Sequence, residues 1–485
     1  MASLALVRTA LVIAVLSLGG AVWYDMHNLV VRTALGVVEL IISGLIIHWV
    51  LRRRPAEEHV ARERRWPILA PVLAALFLRA LWVAVAQTEP ISDFKEYCDL
   101  GRHLAQTGVY GLEAPSAYRP PAISGVLAIF SLLHLPLATA AGLLNAVLGA
   151  ATVPAVYLLA QQLSKTPAIA PQTVADPSHT PPGAAAYPSA ELAAWLWALW
   201  PSQVLGSVLV ATEPLFTACL LWAVVLTLRA LQAPSRGLWL RWAVGAGVLF
   251  GLAGYVRSHA LPVPWLWGAL LLLQGRSGLR LLPRLAVVGV LTLLVMLPWG
   301  LRNQQQLGRF LITSTSSGVT MAYGNHQLAT GRYDGDLPFT VPGATELEQF
   351  DSANTMAKAW ITAHPLEFLL LVPQKWIALL AIETDEASYA MMTPTMLPAK
   401  EAAMFVCYLD WLLAKVLALG AVWRRRAQLE PAALTACAAI LWTWLTIHAL
   451  FHGQYRYHAP LLPIVLVLAA IALRPPRHDT TEAPL

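Results

Sequence analysis

Charge is what this sequence has least of. Only 12% of its 485 residues are Asp, Glu, Lys or Arg, against 57% hydrophobic residues, whereas soluble domains carry about 25% charged residues. An ordinary soluble globular protein is excluded. The formal net charge of +6 is no sign of nucleic acid, because the basic residues of membrane proteins gather in cytoplasmic loops. Cysteine is scarce as well: Cys98, Cys219, Cys407 and Cys437 are scattered, with no CxxC and no disulfide framework. An HExxH zinc site, a paired His at ligand spacing, a GxGxxG turn, a Walker loop and a serine nucleophile elbow are all missing. No cofactor is identified and no metal ligand is assigned; a divalent metal stays open.

What is present is one apolar run after another. A membrane-crossing helix needs roughly 20 such residues. Candidate spans are 4–23, 29–51, 67–86, 139–163, 190–210, 214–232, 240–256, 259–274, 285–301, 401–423, 431–451 and 459–473. The first resembles a signal peptide, but a second apolar run follows at once, so an uncleaved anchor is expected. Arginine clusters test the threading: Arg52–Arg54 and Arg62–Arg65, Arg229–Arg241, Arg276–Arg284, Arg424–Arg426, and Arg474 with Arg477. With the N-terminus inside, every cluster falls on the cytoplasmic side. The expected fold class is an all-α polytopic membrane protein of about twelve transmembrane helices. Two further apolar runs, 121–135 and 366–382, read as helices lying in or partly entering the outer leaflet. The Pro-rich stretch 164–189 reads as a cytoplasmic linker.

Polar chemistry then gathers on the outward face, in segments 87–138 and 302–400 and in short turns. "ISDFKEYCDL" (91–100) opens a helix from about Phe94 to Thr107, stopped by Gly108. Asp93 and Tyr97 share a face of it, while Glu96 and Asp99 fall on the solvated side. Asp93 fits an N-cap with Glu96 at the third helical position, and a capping carboxylate at a helix mouth can still meet a substrate. Arg119 in "AYRPPAIS", Arg257 and His259 in "GYVRSHA", and Arg302 and Asn303 in "PWGLRNQ" also face outward. So do Tyr455, Arg456, Tyr457 and His458 in "FHGQYRYHAP", and Glu213 at a hairpin before Pro214. Arginine forks match phosphate oxygens; a lone interfacial arginine is also a common headgroup anchor. The Ser-, Thr-, Gly- and Tyr-rich stretch 313–336 suits a hydroxyl-rich ligand or a turn-rich connector.

In this order the segments resemble the GT-C integral-membrane glycosyltransferases, in the branch of protein O-mannosyltransferases and lipid A aminoarabinose transferases. "SDFKEYCDLGRHLAQTGVY" resembles the first-outer-loop pattern of the family. "YRPPAIS" resembles its Arg-Pro-Pro-Gly-Tyr-Pro stretch, with Ala122 and Ile123 in place of Gly and Tyr. "WPSQVLGSVLVATEPLF", "PWGLRNQQQLG" and "YRYHAPLLP" resemble its later hairpins. The resemblance covers roughly 67–473. It implies a division into 1–66, two extra N-terminal helices with an Arg-rich loop; 67–301, a GT-C core holding the outer loop 87–138; 302–400, a periplasmic loop region; and 401–485, C-terminal helices and a short tail.

By resemblance the chain sits in a bacterial inner membrane and works on the periplasmic side. It would take a polyprenyl-phosphate-sugar donor and an unknown glycan, lipid or protein acceptor. Asp93 would be the general base and Glu213 a second catalytic carboxylate. Tyr97, Arg119, Arg257, His259, Arg302, Asn303, Tyr455, Arg456, Tyr457 and His458 would contact substrate. The rival readings are an O-antigen polymerase or ligase, which would lean on basic outer-loop residues, and a flippase or transporter of lipid-linked sugars. The second would show inverted repeats, and the sequence has no repeat of that kind.

Overall fold

A computed structural model describes residues 2–25, 68–86, 88–164, 188–333, 335 and 337–473. The expected span 29–51, the loop holding Arg52 and Arg65, most of the linker 164–189, and Arg474 and Arg477 lie outside the described residues. Among the described residues the chain is helical, with isolated β-bridges and no strand.

Seven of these helices are long and apolar enough to cross a membrane: Leu137–Leu163, Glu213–Gln232, Arg236–Val256, Leu282–Leu307, Leu397–Arg424, Pro431–Leu450 and the run Tyr455–Ala472. Ala2–Asp25 and Leu69–Val85 add further apolar helices. Two expected spans are shorter than the apolar runs that suggested them. The run 190–210 breaks into Pro188–Leu199, Pro201–Leu205 and the single turn Gly206–Val208. Pro201 has no N–H to give and its ring disfavours helical backbone at Trp200, which is extended (ψ 118°). The run 259–274 holds only the helix Val263–Leu272.

The bundle packs through small residues. Arg236–Val256 lies against both Glu213–Gln232 and Leu282–Leu307. A Cβ at Gly251 would come within 2.5 Å of Val295 Cβ, so glycine sets the closeness of that crossing. Bulky apolar side chains such as Leu73, Phe77, Leu294 and Phe405 remain on outer faces, where hydrocarbon would cover them.

Polar groups inside the bundle are tied to backbone. Arg79, 1% exposed, donates to the carbonyls of Trp197 (3.1 Å) and Ala198 (2.8 Å). A cation thus meets the orphan carbonyls at the end of Pro188–Leu199. Trp82 Nε1 donates to Leu205 O, and Asn145 Nδ2 to Ser207 O and Leu209 O. The broken stretch 199–209 is therefore held from two neighbouring helices. Pro365–Leu380, expected at the leaflet surface, packs on Ala2–Asp25 and Pro431–Leu450. Its buried Lys375 donates to Asn325 Oδ1 (2.8 Å) and Ala449 O (3.1 Å).

Candidate active site

The site forms where one end of the bundle brings five separate segments together. The helix Ser92–Thr107 supplies Asp93, Glu96 and Tyr97; the loop before Pro121–Leu132 supplies Arg119. Thr212 and Glu213 open one long helix, Arg257 ends the next, and Arg456 lies in the 3-10 turn Tyr455–Leu461.

These residues form a chain of alternating charge. Arg119 donates through Nε and Nη2 to Glu96 Oε2 (2.9 and 2.7 Å), and through Nη2 to Asp93 Oδ1 (2.8 Å). Arg456 Nη2 donates to the other Asp93 oxygen, Oδ2, at 2.6 Å. Arg456 Nε stands 3.8 Å from Glu213 Oε1, too far for a hydrogen bond, and is buried without a hydrogen-bond partner. Arg257 closes the row, donating to Glu213 Oε1 and, through Nε, to Thr212 Oγ1 at 2.8 Å. Three carboxylates thus face three guanidinium groups. Aromatic faces hold the cations in place: Arg119 over Tyr97 and Tyr118, Arg257 over Tyr457, and Arg456 over Phe94 and Tyr457.

Burial pulls the Asp93 carboxyl upward, but the charges of Arg119 and Arg456 and their hydrogen bonds outweigh it, holding the group below the usual carboxylate range. Burial pushes the Tyr97 hydroxyl up to about 12, so it stays protonated at neutral pH.

The capping role expected of Asp93 is corrected. The helix starts two residues earlier, at Ser92, with Ile91 as its N-cap and no side-chain cap bond. Charge-assisted bonds to two arginines are stronger than one bond to a helix N–H, and Asp93 is committed to them. Ser92 itself has φ 49°, a left-handed backbone that non-glycine residues adopt uncommonly. Glu96 is about as exposed as Asp99, as expected of the solvated face, but Arg119 also folds back onto it from the following loop. Asp99 does lie on the outer side, bonded to Lys95 and Arg102.

Other expected site residues are placed elsewhere. Arg302 donates to Ser116 O (2.7 Å) and Tyr110 O (2.8 Å), and Asn303 to Leu311 O (2.7 Å), so the pair braces the outer loops. The His259 ring packs against Trp444 and His448. His458 stacks on Trp411 at 4.4 Å and meets the Leu379 carbonyl. Tyr455 opens the 3-10 turn that carries Arg456.

A second acidic group joins the site from "AIETDEASY", which the sequence reading passed over. Asp385 Oδ2 accepts from the Arg456 backbone N–H (3.3 Å). Glu383 accepts from Ser202 Oγ (2.6 Å) and Trp200 Nε1 (2.9 Å), and burial pushes its carboxyl upward. Lys415 and Trp411 hold this turn by donating to the carbonyl of Leu380, and Lys415 also to Ala381. A signal was present: three carboxylates directly after the apolar run 366–382, much as Asp93 follows the run 67–86. Among the described residues no three His, Cys, Asp or Glu side chains are grouped to hold a metal ion. The carboxylates beside Asp93 face arginines.

No family model matches the chain, and no curated protein matches it. Solved structures do. The apo oligosaccharyltransferase of Archaeoglobus fulgidus superposes with a TM-score of 0.50 at 14% identity, over 84% of this chain and 50% of that one. The same archaeal protein, AglB, with an inhibitory peptide and a dolichol-phosphate, gives 0.48 at 13% identity, over 84% and 50%. ArnT from Cupriavidus metallidurans bound to undecaprenyl phosphate gives 0.41 at 14% identity, over 84% and 77%. The chain spans about half the length of the archaeal oligosaccharyltransferase. The likeness to its apo form is one of fold: this chain is an all-α polytopic membrane protein with the GT-C architecture.

Proposed function

We propose that the protein is a glycosyltransferase that moves a sugar from a polyprenyl-phosphate donor to an acceptor hydroxyl on the periplasmic face of the membrane, with Asp93 as general base. The observation that carries this reading is the alternating row Glu96, Arg119, Asp93, Arg456, Glu213, Arg257, with a buried Arg456 Nε left without a hydrogen-bond partner. A lipid-linked phosphate approaches at the ends of spanning helices, and guanidinium groups are the side chains best shaped to hold it.

The same geometry suggests how base strength is controlled. Held by two arginines, Asp93 is a weak base. A donor phosphate competing for Arg456 or Arg119 would loosen one of those bonds and raise the basicity of Asp93 beside the bound donor. The acceptor oxygen then attacks the anomeric carbon, and its proton passes to Asp93. The bond from that carbon to the phosphate oxygen breaks, and the arginines stabilise the charge left on the polyprenyl phosphate. Glu213 keeps Arg257 in place and faces Arg456.

Asp93→Asn tests the assignment. With purified protein and labelled polyprenyl-phosphate sugars, release of polyprenyl phosphate should fall by about 10²–10⁴-fold, while the variant remains folded and still binds the lipid phosphate. Full turnover in a folded Asp93→Asn protein would remove Asp93 as the base.

A further inference from the structure

Beside the charged row lies an open cleft that the steps above leave unused, about 390 Å3 when the solvent at its mouth is counted, with enclosed room for only one or two water-sized groups. Its wall carries Glu386, Asp385, Gln203, Tyr389 and Phe94, and it reaches Glu213 and Arg456. Glu386 is 8% exposed, and its Oε2 is buried with no hydrogen-bond partner. A buried polar atom in that state costs roughly 1–3 kcal/mol unless something satisfies it. The backbone is shaped to admit the side chain: a Cβ on Gly206 would come within 2.9 Å of Glu386 Cγ. Gly206 belongs to the turn Gly206–Val208 that follows the short helix Pro201–Leu205. Burial, then the neighbouring Glu383 and Asp385, push the Glu386 carboxyl well above its ordinary range.

We infer that this cleft receives one edge of the donor's sugar ring, that Glu386 is its specificity-determining residue, and that the ring it takes is uncharged and hydroxyl-bearing. This rests on the reading of the protein as a polyprenyl-phosphate-sugar transferase. A carboxyl kept neutral donates one hydrogen bond and accepts another, which matches a sugar hydroxyl that does both. Gln203 offers a further donor and acceptor on the same wall, and Tyr389 and Phe94 offer ring faces. The carboxylates of Glu213 and Asp385 on the same wall repel an anionic ring such as a uronic acid. Arg456 joins this cleft to Asp93, which places the ring between the carboxyl-lined wall and the base.

Binding to the full-length protein in nanodiscs tests the inference, with bare undecaprenyl phosphate set against its glucosyl, galactosyl, mannosyl, arabinosyl and glucuronosyl esters. At least one neutral sugar should tighten binding over the bare lipid by about tenfold, the worth of one or two satisfied hydrogen bonds. The glucuronosyl ester should gain nothing. Glu386→Ala should erase the neutral-sugar gain and leave bare-lipid binding unchanged, which also reports that the variant is folded. Gly206→Ala, whose Cβ displaces a carboxyl still present, should cause the same selective loss. A gain that survives in both variants, or a glucuronosyl ester that binds as tightly as the best neutral one, overturns the inference while the transferase reading stands. Failure of bare undecaprenyl phosphate to bind the wild type overturns that reading, and this subsite with it.

Discussion

At the scale of single residues, Asp93 shows a tension between holding and reacting. Its two oxygens accept from Arg119 at 2.8 Å and Arg456 at 2.6 Å, and those cations keep it ionised but weakly basic. Removing one cation has a definite sign: a carboxylate that loses a positive neighbour has its pKa raised by about a unit or more. In Arg119→Gln the acidic limb of the kcat/KM profile should therefore move to higher pH by about one unit. An acidic limb that stays in place would show that Asp93 does not set it. Much of this row was legible in the sequence, because Glu213, Arg257 and Arg456 each stand in a short polar turn between apolar runs and Asp93 follows closely on one. Glu96 was not, since helical spacing assigns a face without knowing that Arg119 folds back over it. Glu383, Asp385 and Glu386 were missed because a run of acids reads as a solvated turn. The burial of Glu383 and Glu386 depends on Trp200, Ser202 and Gly206, far earlier in the chain.

At the scale of elements, the broken helix 188–209 matters most. Periodicity finds the apolar run, yet cannot show that Pro201 and the turn at Gly206 divide it and open a pocket wall. The break leaves helix-end carbonyls inside the bundle, and Arg79 meets them from Leu69–Val85. This gives a structural reason for an arginine inside the bundle. Arg79→Leu should destabilise the solubilised protein by about 2–3 kcal/mol, the worth of hydrogen bonds to a charged group. A lowered midpoint of thermal unfolding would register it. Because Arg79 lies away from the charged row, lipid-phosphate affinity of the folded fraction should not change. An unfolding midpoint equal to that of the wild type would mean that the carbonyls of Trp197 and Ala198 need no donor.

At the scale of the whole molecule, the site exists only when distant parts of the chain are assembled: Asp93 and Arg456 are 363 residues apart. The N-terminal helix, expected as an addition outside the family core, is part of that assembly. Ala2–Asp25 packs against Pro431–Leu450, Pro365–Leu380 and Leu397–Arg424. Val7, Ala10 and Leu11 are buried in the main core, Arg8 Nε donates to Val422 O (3.0 Å), and Trp442 Nε1 donates to Leu6 O (3.1 Å). Two of its partner helices flank the turn that carries Glu383, Asp385 and Glu386. Loss of the helix should therefore be felt at the site as well as in stability. Removing residues 2–25 uncovers core side chains, each worth roughly 1.5–3 kcal/mol when fully buried, so the solubilised protein should unfold at lower temperature. Donor binding should weaken with and without the sugar, because the acidic turn and the turn that carries Arg456 both rest on the partners of this helix. Thermal unfolding and the two binding measurements on one preparation separate these effects. An unchanged midpoint together with unchanged donor binding would make the N-terminal helix an appendage.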